Sequence, residues 1–165
     1  MVAEKDLVFK KAVEFVTAKG FQIVSQDATR PWGGFLVIEE SQAQEFAEEF
    51  FPELTFESLK ISGKLSPKIL IVAPGKRLSW QYHFRRAEIW RCIEGTVGVV
   101  RSMTDEEKER VILQEGDKVT LQKGERHRLI GLEDWGVVAE IWQHTDASHP
   151  SDEEDIVRLQ DDFGR

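Results

Sequence analysis

Four side chains between residues 81 and 127 have the types and spacing of a metal site: Gln81 and His83 in LSWQYHF, Glu88 in AEIWRCI and His127 in HRLIGL. Alternate residues of a strand share a face, so Gln81 and His83 would point the same way. By the same period Arg86, Glu88, Trp90 and Cys92 form one face of the next run, which brings a carboxylate to the same interior. One amide oxygen, two imidazoles and one carboxylate suit a borderline divalent cation, with zinc first and manganese, iron or cobalt as alternatives. Coordination positions would remain for water or substrate. Cys92 is the single cysteine, so a thiolate cluster is excluded, as is an internal disulfide.

Other charged residues lie within or beside apolar runs. Arg86 would be costly to bury without an anion, which leaves an ion pair to Glu88 or Glu140, or a contact with substrate. Glu140 shares a strand side with Trp142 in GVVAEIWQ, and either faces a wet cavity or is stabilised by a cation. Lys68 opens the run KILIVA, where a lysine is ordinarily solvated. Arg30 and Arg158 each either meet an anion or anchor a terminus. Trp32 reads as packing, His144 and His149 as solvated, and the acidic run at 105–108 as an exposed hairpin turn.

The elements that must position these groups are short. From Lys68 to Gln143, β-type runs alternate with turns such as PGKR, EG and KGER, the texture of an antiparallel sandwich or barrel with no helical period. Before them, Phe9, Ala12, Val13 and Val16 recur at i, i+3, i+4 and i+7. That spacing predicts a helix over 6–19, with Asp6 as N-cap and Gly20 as its stop. FQIVS (21–25) reads as a short strand, and RPWGGFLVIEE (30–40) as a turn leading into another. Ser41 with Gln44 has the form of a capping box, opening a helix that ends before Pro52. Residues 53–67 show no clear pattern, and the tail from Ser151 is too charged for a core, although Ile156, Val157 and Phe163 could tie it to a surface.

The 165 residues predict one domain: an extension over 1–66, a barrel over 67–145 and a tail over 146–165 packed on it. A 41% hydrophobic content with ten Phe and five Trp is enough for an unstapled core. Thirty acidic against 22 basic side chains give a net charge of -8, which disfavours nucleic acid and anionic membranes as partners. No run approaches the length of a spanning helix, and the amino-terminal residues lack a signal-peptide apolar stretch. The expected home is a reducing cytoplasm, and a homodimer is the candidate assembly.

The spacing G75-x7-H83-x4-E88-x6-G95, followed by G116-x7-G124-x2-H127, resembles the two-part cupin signature. RPWG (30–33), PGKRLSWQYHFRRAEIW (74–90), GERHRL (124–129), AEIWQ (139–143) and EDIVRLQDDFGR (154–165) resemble, more closely still, the type II phosphomannose isomerases. The resemblance implies a mainly β fold, a cupin double-stranded β-helix or jelly-roll barrel with helices packed outside and one metal in its mouth. Its metal ligands would fall on Gln81, His83, Glu88 and His127, and the glutamine is the choice of phosphomannose isomerases where most metal cupins place histidine. In the family the barrel is usually fused to a guanylyltransferase domain, for which this chain is too short. Where the family continues with two further histidines, the chain has Phe84 and Arg85; Gln122 and Gly131 replace an expected proline and asparagine.

The implied activity is metal-dependent aldose–ketose isomerisation of a small sugar phosphate such as mannose 6-phosphate. Glu140 would be the base or proton relay, Arg86 would stabilise negative charge, and Lys68, Arg30 and Arg158 would meet the phosphate. Two alternatives share the fold: a non-catalytic metal-containing cupin that binds a sugar or sugar nucleotide, and a cupin dioxygenase. The glutamine argues against the latter, because redox iron sites are usually richer in imidazole.

Overall fold

A computed structural model describes residues 4–59 and 64–164. Residues 1–3 and 60–63 of the extension, and Arg165 of the last motif, lie outside the described residues. Helix α1 (Lys5–Ala18) leads into strands β1 (Ile23–Arg30) and β2 (Gly33–Ile38), then helices α2 (Ala43–Phe50) and α3 (Phe56–Leu59). The barrel follows as β3 (Lys68–Val72), β4 (Trp80–Tyr82), β5 (Arg86–Glu94), β6 (Val97–Ser102), β7 (Val111–Leu113), β8 (Lys118–Leu121), β9 (Arg126–Gly131) and β10 (Gly136–His144). A last strand, β11 (Val157–Gln160), comes from the tail. All pairings are antiparallel, in two sheets ordered β1-β2-β3-β10-β5-β8 and β11-β4-β9-β6-β7. Mainly β, with the sheets facing each other and the helices outside, this is the cupin jelly roll.

Alternation along β3, β5 and β10 builds two cores from one sheet. Ile69, Ile71, Ile89, Val137, Ala139 and Ile141 face outward and pack against Phe9, Val16, Phe21, Phe46, Phe50 and Phe51. Leu70, Val72, Trp90, Cys92 and Val138 face inward with Val97, Val99, Leu121 and Leu129. Strands covered on both faces read as nearly continuous apolar runs, and the polar exceptions, Lys68, Glu88 and Glu140, all fall on the inward parity. The helices of the extension therefore free the barrel interior for chemistry by taking the outer face of its sheet.

Local details depart from the sequence reading. Helix α1 is preceded by Glu4, which makes no side-chain cap, and Asp6 lies in its first turn, beside the positive end of the helix dipole. The capping box of Ser41 and Gln44 does not form. Glu40 instead accepts the backbone N–H groups of Leu65 and Ser66, and Gln42 bonds Gly20 and Gln22, so the chain enters α2 through a 3-10 turn over Glu40–Gln42. Strand β1 runs past Ser25 to Arg30 because its polar residues lie on the sheet's exposed edge. The β1–β2 turn needs Gly33 (φ 141°), where a Cβ would lie 2.0 Å from the Ile71 carbonyl oxygen. Gly131 is required too: a Cβ there would sit 1.9 Å from the Ala73 carbonyl, which excludes the expected asparagine.

The tail is more than a surface tie, because β11 pairs with β4 and both Ser151 and Asp155 are buried. The 105–108 run is exposed but held down, with Asp105 on Arg126, Glu107 on Arg128, and the Trp80 indole donating to the Asp105 carbonyl.

Candidate metal centre

Strand β4 is only three residues long, and His83 lies just beyond it. It still faces the interior with Gln81, whose Nε2 is 3.5 Å from His83 Nε2. The pairing of Gln81 with His127 sets β4 beside β9, and the pairing of Trp142 with Glu88 sets β10 beside β5. His83 Nε2 is 3.0 Å from one Glu88 oxygen, and His127 Nε2 is 3.6 Å from the other. Ligand atoms of His83, Glu88 and His127 all lie within 4.8 Å of one another, and all three residues are buried.

Both imidazoles are oriented through Nδ1. That of His83 donates to the Asp155 carbonyl (2.7 Å), and that of His127 to the Glu125 carbonyl (2.9 Å). A carbonyl can only accept, so each ring carries a proton on Nδ1 and directs Nε2 toward Glu88. His127 Nε2 is buried with no hydrogen-bond partner. Burial pushes the pKa of His127 down to about 4 despite the nearby Glu88, which keeps the ring neutral, as a ligand must be. An orphaned lone pair, a second imidazole, a carboxylate and an amide fit a borderline cation. The amide of Gln81 would coordinate through oxygen, the other of its two orientations, which differ only in the exchange of O and N.

Charge is balanced by a dense network. Burial works against the Glu88 carboxylate, but Arg86 and His83 hold its pKa well below the ordinary value. Arg86 donates through Nε to Glu88 (2.8 Å), through Nη1 to Ser151 Oγ and the Asp152 carbonyl (both 3.0 Å), and through Nη2 toward His83 Nε2 (3.2 Å). Its guanidinium stacks 3.5 Å from the Trp142 ring centre. Glu140 is buried and accepts indole N–H groups from Trp90 (2.8 Å) and Trp142 (3.0 Å), and the Trp90 N–H is shared with Glu88 (3.1 Å). Burial, reinforced by the Glu88 charge, drives the pKa of Glu140 well above the ordinary value.

A cavity of about 280 Å³ opens onto this network, lined by Arg30, Lys68, Gln81, Arg86, Glu88, Glu140 and Arg158, with Trp32, Phe35 and Trp142 among its walls. Every sequence-predicted site residue thus lines one cavity or, for His83 and His127, adjoins Glu88 on it. Lys68, expected to be solvated, is buried, with its ammonium 4.3 Å from the Trp142 ring centre and an ion pair to Glu153. Arg30 pairs with Asp27 (3.1 Å) and lies over Phe35.

His144 corrects its sequence reading. It is fully buried, because its ring bonds Ser66 Oγ (2.9 Å) and accepts the Ser151 N–H (2.9 Å). His149 is exposed as expected. Sequence reasoning also missed Ser151, Glu153 and Asp155, of which only Asp155 lies within the EDIVR motif (154–158).

The family described as mannose-6-phosphate isomerase C-terminal matches residues 39–161. The chain is 32% identical to the alginate biosynthesis protein AlgA of Pseudomonas aeruginosa over 125 residues, 76% of this chain and 24% of that protein. It is 30% identical to a mannose-1-phosphate guanylyltransferase of Salmonella montevideo over 118 residues, 72% of this chain and 23% of that protein. The chain therefore spans about a quarter of the length of these relatives. Among solved structures, hazelnut (Corylus avellana) vicilin superposes with a TM-score of 0.52 at 15% identity, covering 84% of this chain and 34% of vicilin, a likeness of fold alone. With three quarters of its length matched and the site residues gathered on one cavity, the chain belongs to the mannose-6-phosphate isomerase C-terminal family.

Proposed function

We propose that this chain is a metal-dependent aldose–ketose isomerase acting on a sugar phosphate, with mannose 6-phosphate the first candidate. The observation that carries the reading is the convergence on one cavity of Lys68, Arg30 and Arg158 with Glu140, Arg86 and the Gln81 and Glu88 side chains. The barrel over 67–145, the extension before it and the tail after it are read as one functional unit, since all three supply walls of that cavity.

Gln81, His83, Glu88 and His127 would hold the cation, which when bound supplies Lewis acidity toward the sugar oxygens. The isomerisation moves a proton between adjacent carbons through an enediolate, so a group of suitable pKa must reach the carbon-bound proton. Glu140 is the residue we assign to that role. Burial favours its protonated form, while the two indole N–H groups favour the carboxylate, so it can both hold and release a proton. Arg86, immobilised by Glu88, Ser151 and Trp142, presents positive charge to the developing oxyanion. Lys68, Arg30 and Arg158 supply the cationic wall for the phosphate.

A second reading, a non-catalytic sugar or sugar-nucleotide binder, uses the same cavity. It draws on Phe84 and Arg85, which replace the family's further histidines and stay outside the cavity wall. The deciding experiment loads the protein with zinc, manganese, iron or cobalt and follows solvent-proton exchange at C2 of phosphorylated and free aldoses and ketoses. Exchange with at least one sugar is expected. Binding without exchange for every metal would replace the isomerase with the binder.

A further inference from the structure

The tail carries a motif that the chemistry above leaves unused. Strand β4 ends at Tyr82, and beyond it the His83 and Arg85 carbonyls accept single backbone bonds from Gly124 and Thr145 (both 3.0 Å). Asp155, buried in the tail, adds the bonds to the His83 ring and to the Phe84 and Arg85 N–H groups. Its backbone carbonyl accepts the His83 Nδ1–H, and its carboxylate accepts the backbone N–H groups of Phe84 (2.9 Å) and Arg85 (3.0 Å). The same carboxylate accepts the Ser151 hydroxyl (2.6 Å), and Ser151 Oγ in turn accepts from Arg86 Nη1. Asp152 adds its carbonyl to Arg86 and caps the turn through the Asp155 N–H. One short strap thus contacts the imidazole, the guanidinium and the backbone between them.

We infer that the strap Ser151–Asp155 is a positioning element of the metal centre, with Asp155 and Ser151 setting the orientation of His83 and Arg86. The inference rests on the metal reading given above. A ligand imidazole has to be aimed, because ring rotation moves its lone pair away from the cation, and the partner on the far nitrogen supplies that restraint. A strap that merely tied the terminus to the surface would place its bonds on the outer face. Here Ser151 and Asp155 are buried, and their hydrogen bonds reach a candidate ligand and the cation beside it.

The test compares Asp155→Asn, Ser151→Ala and Asp162→Asn in the full chain. In Asp155→Asn the amide NH2 meets a backbone N–H or hydroxyl donor, so part of the clamp becomes a contact between donors. Asp162 serves as the control because it binds Arg77 near the end of the same tail, away from the site. Zinc affinity is read by competition with a chelator, and ligand geometry by the visible absorption of the cobalt form, both well below the unfolding temperature. Asp155→Asn should lose about 10- to 100-fold in zinc affinity and change the cobalt spectrum. Ser151→Ala should lose less, and Asp162→Asn should match the parent in both. If Asp155→Asn fails to fold, Ser151→Ala decides alone. Parent-like affinity and spectrum in the folded strap variants would overturn the positioning role and leave the metal site standing. Equal losses in Asp162→Asn would overturn it in favour of general tail docking, and a parent protein that takes up neither metal would overturn the site reading together with this one.

Discussion

At the scale of single residues, the same cavity wall separates groups that bind from groups that react. Glu140 shares the Trp90 N–H with Glu88 and feels its charge but is not among the candidate ligands, whereas His127 offers a buried nitrogen with no hydrogen-bond partner. Glu140→Gln should therefore retain metal by elemental analysis and sugar affinity by calorimetry, while turnover falls by about 10²–10⁴, the range for losing general acid–base catalysis. His127→Ala should instead lose the metal, and binding and turnover with it. C2 exchange that survives Glu140→Gln unchanged would reject Glu140 as the proton carrier. Glu153 gives a different expectation. Its largely exposed carboxylate sits on the buried Lys68 ammonium, where it competes with any incoming anion. An ion pair with one exposed partner is worth roughly 0.2–1 kcal/mol, so Glu153→Gln should tighten inorganic phosphate binding by about 1.4- to fivefold. Weaker phosphate binding in that variant would mean that Glu153 helps the site instead of competing for it.

At the scale of elements, the helices matter because they allow three strands to be apolar on one parity and chemical on the other. Phe46 on α2 is fully buried and meets Phe21 and Phe50 at ring-centre distances of 5.6 and 4.7 Å. Phe46→Ala should cost about 3–5 kcal/mol, read as a lower urea midpoint with little change in slope. Such a cost is a large fraction of a typical domain's 5–15 kcal/mol. A change under 1 kcal/mol would show that the outer layer is dispensable to the barrel. The strand runs were readable in the sequence because turn residues interrupt them at short intervals, and the gathering of the candidate ligands was readable in part, because period-two alternation groups Gln81 with His83 and Arg86 with Glu88. What stayed hidden depends on pairing partners. The charged tail becomes β11 only because β4 offers it an edge, and His144 is buried because Ser66, 78 positions back, and Ser151, seven positions on, satisfy its ring. Similarly, the capping box at Ser41 lost to a long-range bond, since Glu40 serves the chain just before β3. Local pattern cannot report contacts made across 25 or more positions.

At the scale of the whole molecule, His144 joins the residues before the barrel, the last barrel strand and the tail, so its protonation is linked to global stability. Burial, helped by the charges of Lys64 and Arg86, lowers its pKa to about 4, against 6.5 when exposed. The sign follows directly. Between those two values the unfolded chain takes up a proton that the folded chain refuses, so the unfolded state gains as pH falls. Stability tied to this ring is complete above pH 6.5 and declines from there to about pH 4, with a slope approaching ~1.4 kcal/mol per pH unit. The full loss would be roughly 3 kcal/mol. In the metal-free protein His127 adds a decline of the same sign over the same window, because its pKa is lowered in the same way. Glu140, whose raised pKa makes the folded chain take up a proton as pH falls, acts with the opposite sign, so the His144 share is read as the difference between parent and His144→Gln in urea unfolding with a chelator from pH 7.5 down to pH 5. His144→Gln removes one titrating group, and although it lowers stability at pH 7.5 by breaking the bonds to Ser66 and Ser151, it should flatten the acid slope by about one proton's worth. A slope identical to the parent's would mean that His144 titrates alike in the folded and unfolded states, which its closed environment and two hydrogen bonds argue against. Restoring saturating zinc to the parent should remove the His127 share of the slope but leave that of His144, because only the former would carry the metal. The two histidines are thus told apart by zinc and not by pH: one share answers to metal and the other to the contact between barrel and tail.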